Sequence, residues 1–213
     1  MDTIDSSFQR MRADARDELI NRIAVHEAGH FVMMLLLMRQ SPYHIVLTPE
    51  TGSGMTLPFC VPDSPVEHAL IMMAGYAAER LFDTAAEDTG LGDYMYHDDY
   101  DNQDFLNMCR ELGGTDGVKA DYYVFELESF QAAKDILKNH KSFIFALATE
   151  LKNSEKTEMD YAAIKTFCRK YQKEFPVIKT ITFPDPSSHD EPGLQNEIGD
   201  YKKNQAIVFK QST

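Results

Sequence analysis

Apolar residues recur at helical spacing along most of the chain. Over residues 5 to 22, Phe8, Met11, Leu19 and Ile20 stand among Arg, Asp and Glu, which predicts an amphipathic helix. A second helix is expected from about Arg22 to Arg39. Its far half, Phe31 to Met38, is apolar on every face and should be enclosed on all sides. Pro42 forbids its continuation. The period then changes. Ile45 to Leu47 reads as a strand, Thr48-Pro49 and Gly52-Ser53-Gly54 are turn chemistry, and Met55 to Phe59 returns, giving a β-hairpin or small sheet. Ser64 and Pro65 suit the N-cap and first position of the next helix, which carries Leu70, Met73, Ala74, Ala77, Ala78 and Leu81.

Residues 83 to 100 are acidic with glycines at 90 and 92, and read as a loop. A helix should follow near residue 99, with Phe105, Met108, Cys109 and Leu112 on one face and "GGTDG" as its stop. A long helical stretch is expected over about 128 to 152, and a last helix from about Asp160 to Tyr171. The expected fold class is therefore mainly α, with a small β-hairpin or sheet. After Pro176 the chain turns to Pro, Ser, Gly and acid, so residues 1–175 read as one domain. Residues 176–213 read as a partly disordered C-terminal tail with one strand at Ala206 to Phe209.

Composition narrows the function classes. The chain has 213 residues, 43% apolar and 26% charged, as in ordinary globular proteins, and a formal net charge of -13. Such an excess of acid opposes binding to a phosphate backbone or an anionic lipid surface, so neither nucleic acid nor membrane is an expected partner. Cys60, Cys109 and Cys168 are scattered and odd in number, and read as buried thiols in a reducing compartment. The charged N-terminal segment is not a secretory signal. The longest strongly apolar stretch falls short of the ~20 residues that cross a bilayer. A cytoplasmic address is expected.

The stretch "AVHEAGHFVMMLLLM" carries the chemistry. His26-Glu27-Ala28-Gly29-His30 fits H-E-x-x-H. On a helix, His26 and His30 are separated by about 40° around the axis and about 6 Å along it, so both imidazoles can grip one metal ion. Glu27 lies about 60° from His30, placed for a water beside the ion rather than for the ion itself. That is the layout of a general base. The bland alternative is two core histidines on a buried helix. A buried Glu without a partner is costly, however, and Gly29 inside a helix costs about 1 kcal/mol relative to Ala, so something should approach the backbone there.

The segment resembles the zinc-binding helix of the peptidase domain in FtsH-type ATP-dependent metalloproteases. The order of later features is similar as well: "SPYHIVLTPETGSGMTLP" with His44 and Gly54-Met55-Thr56, then Ala74-Gly75-Tyr76-Ala77-Ala78-Glu79-Arg80, over about residues 20 to 170. The resemblance implies a helical zincin-like peptidase domain. It also implies a Zn2+ ion, a peptide or unfolded protein as substrate, and a third metal ligand from an Asp that opens a helix after the acidic loop. Asp101 and Asp104 both suit that position. Asp101 better aligns the following apolar face, and His97 is a possible substitute. Glu79 is either a hydrogen-bond partner of a ligand histidine or a surface carboxylate. The family's ATPase module and membrane helices have no counterpart here, which leads us to expect a lone, ATP-independent domain. The family's hexamer is not carried over.

The remaining candidates are weaker. His44 is expected to hold the start of a strand, and His68, His140 and His189 to be exposed. Met33, Met34, Met38, Met72 and Met73 read as adaptable core packing. Either hairpin strand offers an edge for an extended peptide. A non-catalytic protein that binds a peptide or partner on the same metal-binding scaffold is the alternative function. Retention of Glu27 favours the enzyme.

Overall fold

The computed structural model describes residues 2–50, 52–58, 60, 62, 64–82, 119–154 and 156–184, with backbone only for 2–16 and 119–125. Among these residues the architecture is mainly helical with one three-stranded antiparallel sheet. Its elements are α1 (Asp2–Met38), β1 (His44–Thr48), β2 (Ser53–Leu57), α2 (Pro65–Phe82), α3 (Lys119–Leu137), α4 (Lys141–Asn153), β3 (Glu158–Asp160) and α5 (Tyr161–Tyr171). Short 3-10 turns occupy Lys138–His140 and Pro176–Thr180.

The two helices expected on either side of Arg22 are one continuous helix of 37 residues. The amphipathic first part and the apolar second part differ in surroundings, and no Gly or Pro interrupts the backbone between them. Ala28 and Phe31 to Leu35 are all buried, but Leu36, Leu37 and Met38 are only partly so, and the enclosure expected over Phe31 to Met38 stops a turn short. The helix stops at Met38, the residue whose carbonyl would need an amide from Pro42. Arg39 then takes a positive φ of 53°, and its carbonyl accepts from the Thr182 amide at 2.9 Å.

The hairpin forms with Thr48 opposite Ser53 and Gly52 at φ 71°, a conformation that glycine takes without a steric penalty. Among the described residues β1 is the central strand, in the order β2-β1-β3, which overturns the expectation of an edge at β1, and β2 is a border strand. β3 has three residues, too few to show an alternation in sequence, and pairs Met159 with Ile45. Ser64 and Pro65 open α2 as expected, and the Ser64 hydroxyl accepts from the Val66 amide at 3.3 Å. Asp160 caps α5 by accepting from the Ala163 amide at 2.8 Å.

The stretch expected as one helix over 128 to 152 is broken at Lys138–His140. The buried row keeps its helical spacing across the break: Ala133 and Leu137 are followed by Ile144, Leu147 and Leu151, all buried.

The core lies between α1, α2 and α4, with α3 against α2. Phe143 is its hub, 6.3 Å from Phe31 and stacked at 5.9 Å on Phe167 and 4.6 Å on Phe175. Met33, Met34 and Met73 are buried there, in line with a packing role. Packing continues past residue 175: Ile178 is buried, and Thr182 pairs with Gln40. Cys168 is buried, and burial pushes its thiol up to about 12. Cys60 is exposed, contrary to expectation, since it follows β2 outside the packed elements. No helix among the described residues is long and apolar enough to cross a membrane.

Candidate metal centre

Two rows of residues, each spaced by four, face one another across the α1–α2 contact. On α1 they are Arg22, His26 and His30; on α2 they are Ile71, Gly75 and Glu79. Spacing by four places each row along one helix face, and the rows run in opposite directions. Gly29 makes the close crossing possible. A Cβ there would stand 2.5 Å from the Ala74 carbonyl oxygen and 2.6 Å from the Ala78 Cβ. This close approach accounts for a glycine in mid-helix. Gly75 leaves room for the His26 ring, which a Cβ at that position would overlap at Nε2.

Hydrogen bonds then fix both rings. His30 Nδ1 lies 2.7 Å from the Ile71 carbonyl oxygen, which can only accept, so Nδ1 carries the proton. His26 Nδ1 lies 2.6 Å from Glu79 Oε1, and the carboxylate likewise accepts. The other carboxylate oxygen, Glu79 Oε2, is 2.8 Å from Arg22 Nε. Arg22 thus pairs ionically with the carboxylate that accepts from His26. The edge of Tyr76 packs against His26 with ring centroids 5.1 Å apart at 90°.

With both Nδ1 atoms donating, each neutral ring directs its Nε2 lone pair inward. The two Nε2 atoms are 3.0 Å apart. Two nitrogens bound to one tetrahedral Zn2+ at about 2.0–2.1 Å stand about 3.3 Å apart, so the pair fits a shared cation to within a few tenths of an ångström. Two lone pairs at this distance repel unless a cation or a proton lies between them, and a divalent ion satisfies both. The donor set, two imidazoles with outer hydrogen bonds to a carboxylate and a carbonyl, is one that holds zinc.

Glu27 is buried at 2% exposure. Its Oε2 accepts from the Thr56 hydroxyl at 2.7 Å, which supplies the partner that a buried carboxylate requires. β2 therefore carries the residue that meets the Glu27 carboxylate.

The sequence-derived residues divide as follows. His26, His30 and Glu79 come together at one place, and the Glu27 carboxylate, from the same stretch of α1, is held on the β2 side by Thr56. Glu79 faces the outer nitrogen of His26, so of its two readings the hydrogen-bond partner is the one that the geometry matches. Asp101 and Asp104 lie outside the described residues, as do His97 and the helix expected near residue 99. Among the described residues, no third His, Cys, Asp or Glu completes a ligand cluster. His44 opens β1, with Nε2 4.0 Å from a Glu158 oxygen. His68 and His140 are half-buried rather than exposed, and burial lowers the His140 pKa. Sequence reasoning gave no role to Arg22, Thr56 or the Ile71 carbonyl. The Arg22-His26-His30 spacing was a readable signal for the first of these.

Neither a known protein family nor a curated protein matches the chain.

Proposed function

We propose that the protein is a zinc-dependent metallopeptidase that hydrolyses peptide bonds in peptides or unfolded proteins, on a scaffold like the peptidase domain of FtsH-type proteases. The observation that carries this reading is the pair of Nε2 atoms 3.0 Å apart, each ring holding its proton on the far nitrogen, with a buried carboxylate one residue from His26. On this reading His26 and His30 hold the ion together with Asp101 or Asp104. When bound, the ion supplies Lewis acidity, polarising the scissile carbonyl and making a water easier to deprotonate. Glu27 takes the proton of that water and delivers it to the leaving amine. Glu79 keeps His26 in the tautomer that binds metal.

The border position of β2 supports an extended substrate laid along the sheet, which would run beside Glu27 through Thr56. The cytoplasm is the setting we propose, supported by the buried thiol of Cys168 and by a charged N-terminal segment unlike a secretory signal.

Glu27→Gln keeps the size and removes the base. It should retain zinc and cleave unfolded casein about 10²–10⁴-fold more slowly than the wild type. Cleavage at the wild-type rate by the zinc-loaded variant would refute the proposed role of Glu27.

A further inference from the structure

We propose that Thr56, acting with Gly54, is a positioning residue that fixes the Glu27 carboxylate; the inference rests on the metallopeptidase reading above. A glutamate reaches its target through three rotatable bonds, and a base must hold its oxygen within hydrogen-bond reach of the proton it takes. The Thr56 hydroxyl lies 2.7 Å from Glu27 Oε2 and 3.2 Å from the Glu27 carbonyl oxygen. A hydroxyl carries one proton, and the shorter bond, to the charged acceptor, is the stronger.

Gly54 works from the same face of β2, because residues two apart on a strand share a face. A Cβ at Gly54 would lie 2.6 Å from Glu27 Cγ and Oε1 and 2.8 Å from Cδ. The bare backbone therefore gives the carboxylate its space, and the same backbone bars it from swinging toward the strand. The register Leu47↔Gly54 and Ile45↔Thr56 sets the height of both residues against β1. Ile45 and Leu47 are themselves buried in the core. The carboxylate is thus aligned by a packed strand rather than by a loop.

A Thr that merely fills space predicts something different, and two conservative variants separate the roles. Thr56→Val keeps the shape and loses the donor; Thr56→Ser keeps the donor and loses a methyl. As a positioning residue, Thr56→Val should bind zinc at the wild-type stoichiometry and cleave unfolded casein about 10–100-fold more slowly. Thr56→Ser should recover most of that rate. The reverse order, Val near wild type and Ser impaired, would overturn the proposal.

A second readout needs neither metal nor activity. In chelator-stripped protein, Thr56→Val should lower the thermal midpoint by about 4 °C or more when Glu27 is present. In the Glu27→Leu background it should change the midpoint by no more than about 1 °C. Equal losses in both backgrounds would show that Thr56 does not act on Glu27, whatever the rates. If the wild type fails to cleave casein at all, the metallopeptidase reading fails by itself, and the comparison of midpoints decides the Thr56 contact.

Discussion

His26 and His30 differ in what holds the outer nitrogen. His30 leans on a neutral carbonyl, that of Ile71, whereas His26 leans on the Glu79 carboxylate, itself braced by Arg22. The carboxylate makes the inner nitrogen of His26 more electron-rich and therefore a better donor to a cation. Glu79→Gln keeps an accepting oxygen and removes the charge. It should weaken zinc binding about 10–100-fold, read by competition with a chromophoric chelator, while the thermal midpoint of the metal-free chain stays near wild type. Unchanged affinity would reduce Glu79 to a partner of Arg22. At this scale the sequence was most informative where spacing on a single helix decides the geometry. His26, Glu27 and His30 could be placed without knowing any other element. Thr56 and the Ile71 carbonyl meet the site only through tertiary contact, so no local pattern marked their roles.

The element that matters most is the α1–α2 crossing. Replacing Gly29 with Ala has two opposing effects. Helix propensity favours Ala by about 1 kcal/mol. Against that, the new methyl would stand 2.5 Å from the Ala74 carbonyl oxygen and 2.6 Å from the Ala78 Cβ, backbone and short side chain that cannot turn away. Overpacking of this kind costs about 1–3 kcal/mol. The clash should win, forcing the helices apart and separating His26 from Glu79. Gly29→Ala should therefore lower the thermal midpoint and weaken zinc binding together; a stabilised variant with normal affinity would contradict the close packing.

Capping and turn residues made several elements readable in advance. Ser64-Pro65 opened α2; of the turn residues read at the hairpin, Pro49 and Gly52 lie between the strands, whereas Thr48, Ser53 and Gly54 belong to the strands themselves. The elements that escaped had no such punctuation. α1 passes through Arg22 without a break because a change of environment is not a change of backbone. β3 is shorter than the period that would announce it. The turn at Lys138–His140 has no Gly or Pro to mark it, and the apolar row keeps helical spacing across it.

Among the described residues, the centre draws on three separate stretches of chain: residues 22–30, 54–56 and 71–79. A shared core keeps them in register. Phe31, one residue beyond His30, packs on Phe143, which stacks on Phe167 and Phe175, so α1 is tied to the C-terminal half of the fold. Beyond the end of α1, the Arg39 carbonyl and the Ser41 amide bond to Thr182. The mainly α class was legible because helical periodicity is repeated over many residues. The part played by residues 176–184 was missed because the Pro-, Ser-, Gly- and acid-rich chain that follows was read back to Pro176, although Val177, Ile178, Ile181 and Phe183 are apolar and pack on the core. The claim on which the functional account depends is that His26 and His30 share one divalent ion. Calorimetric titration of the chelator-stripped chain with zinc tests it most directly. The account predicts one ion bound per wild-type chain and a loss of that binding in both His26→Ala and His30→Ala; wild-type protein that takes up no zinc, or alanine variants that bind it as well as wild type, would contradict it.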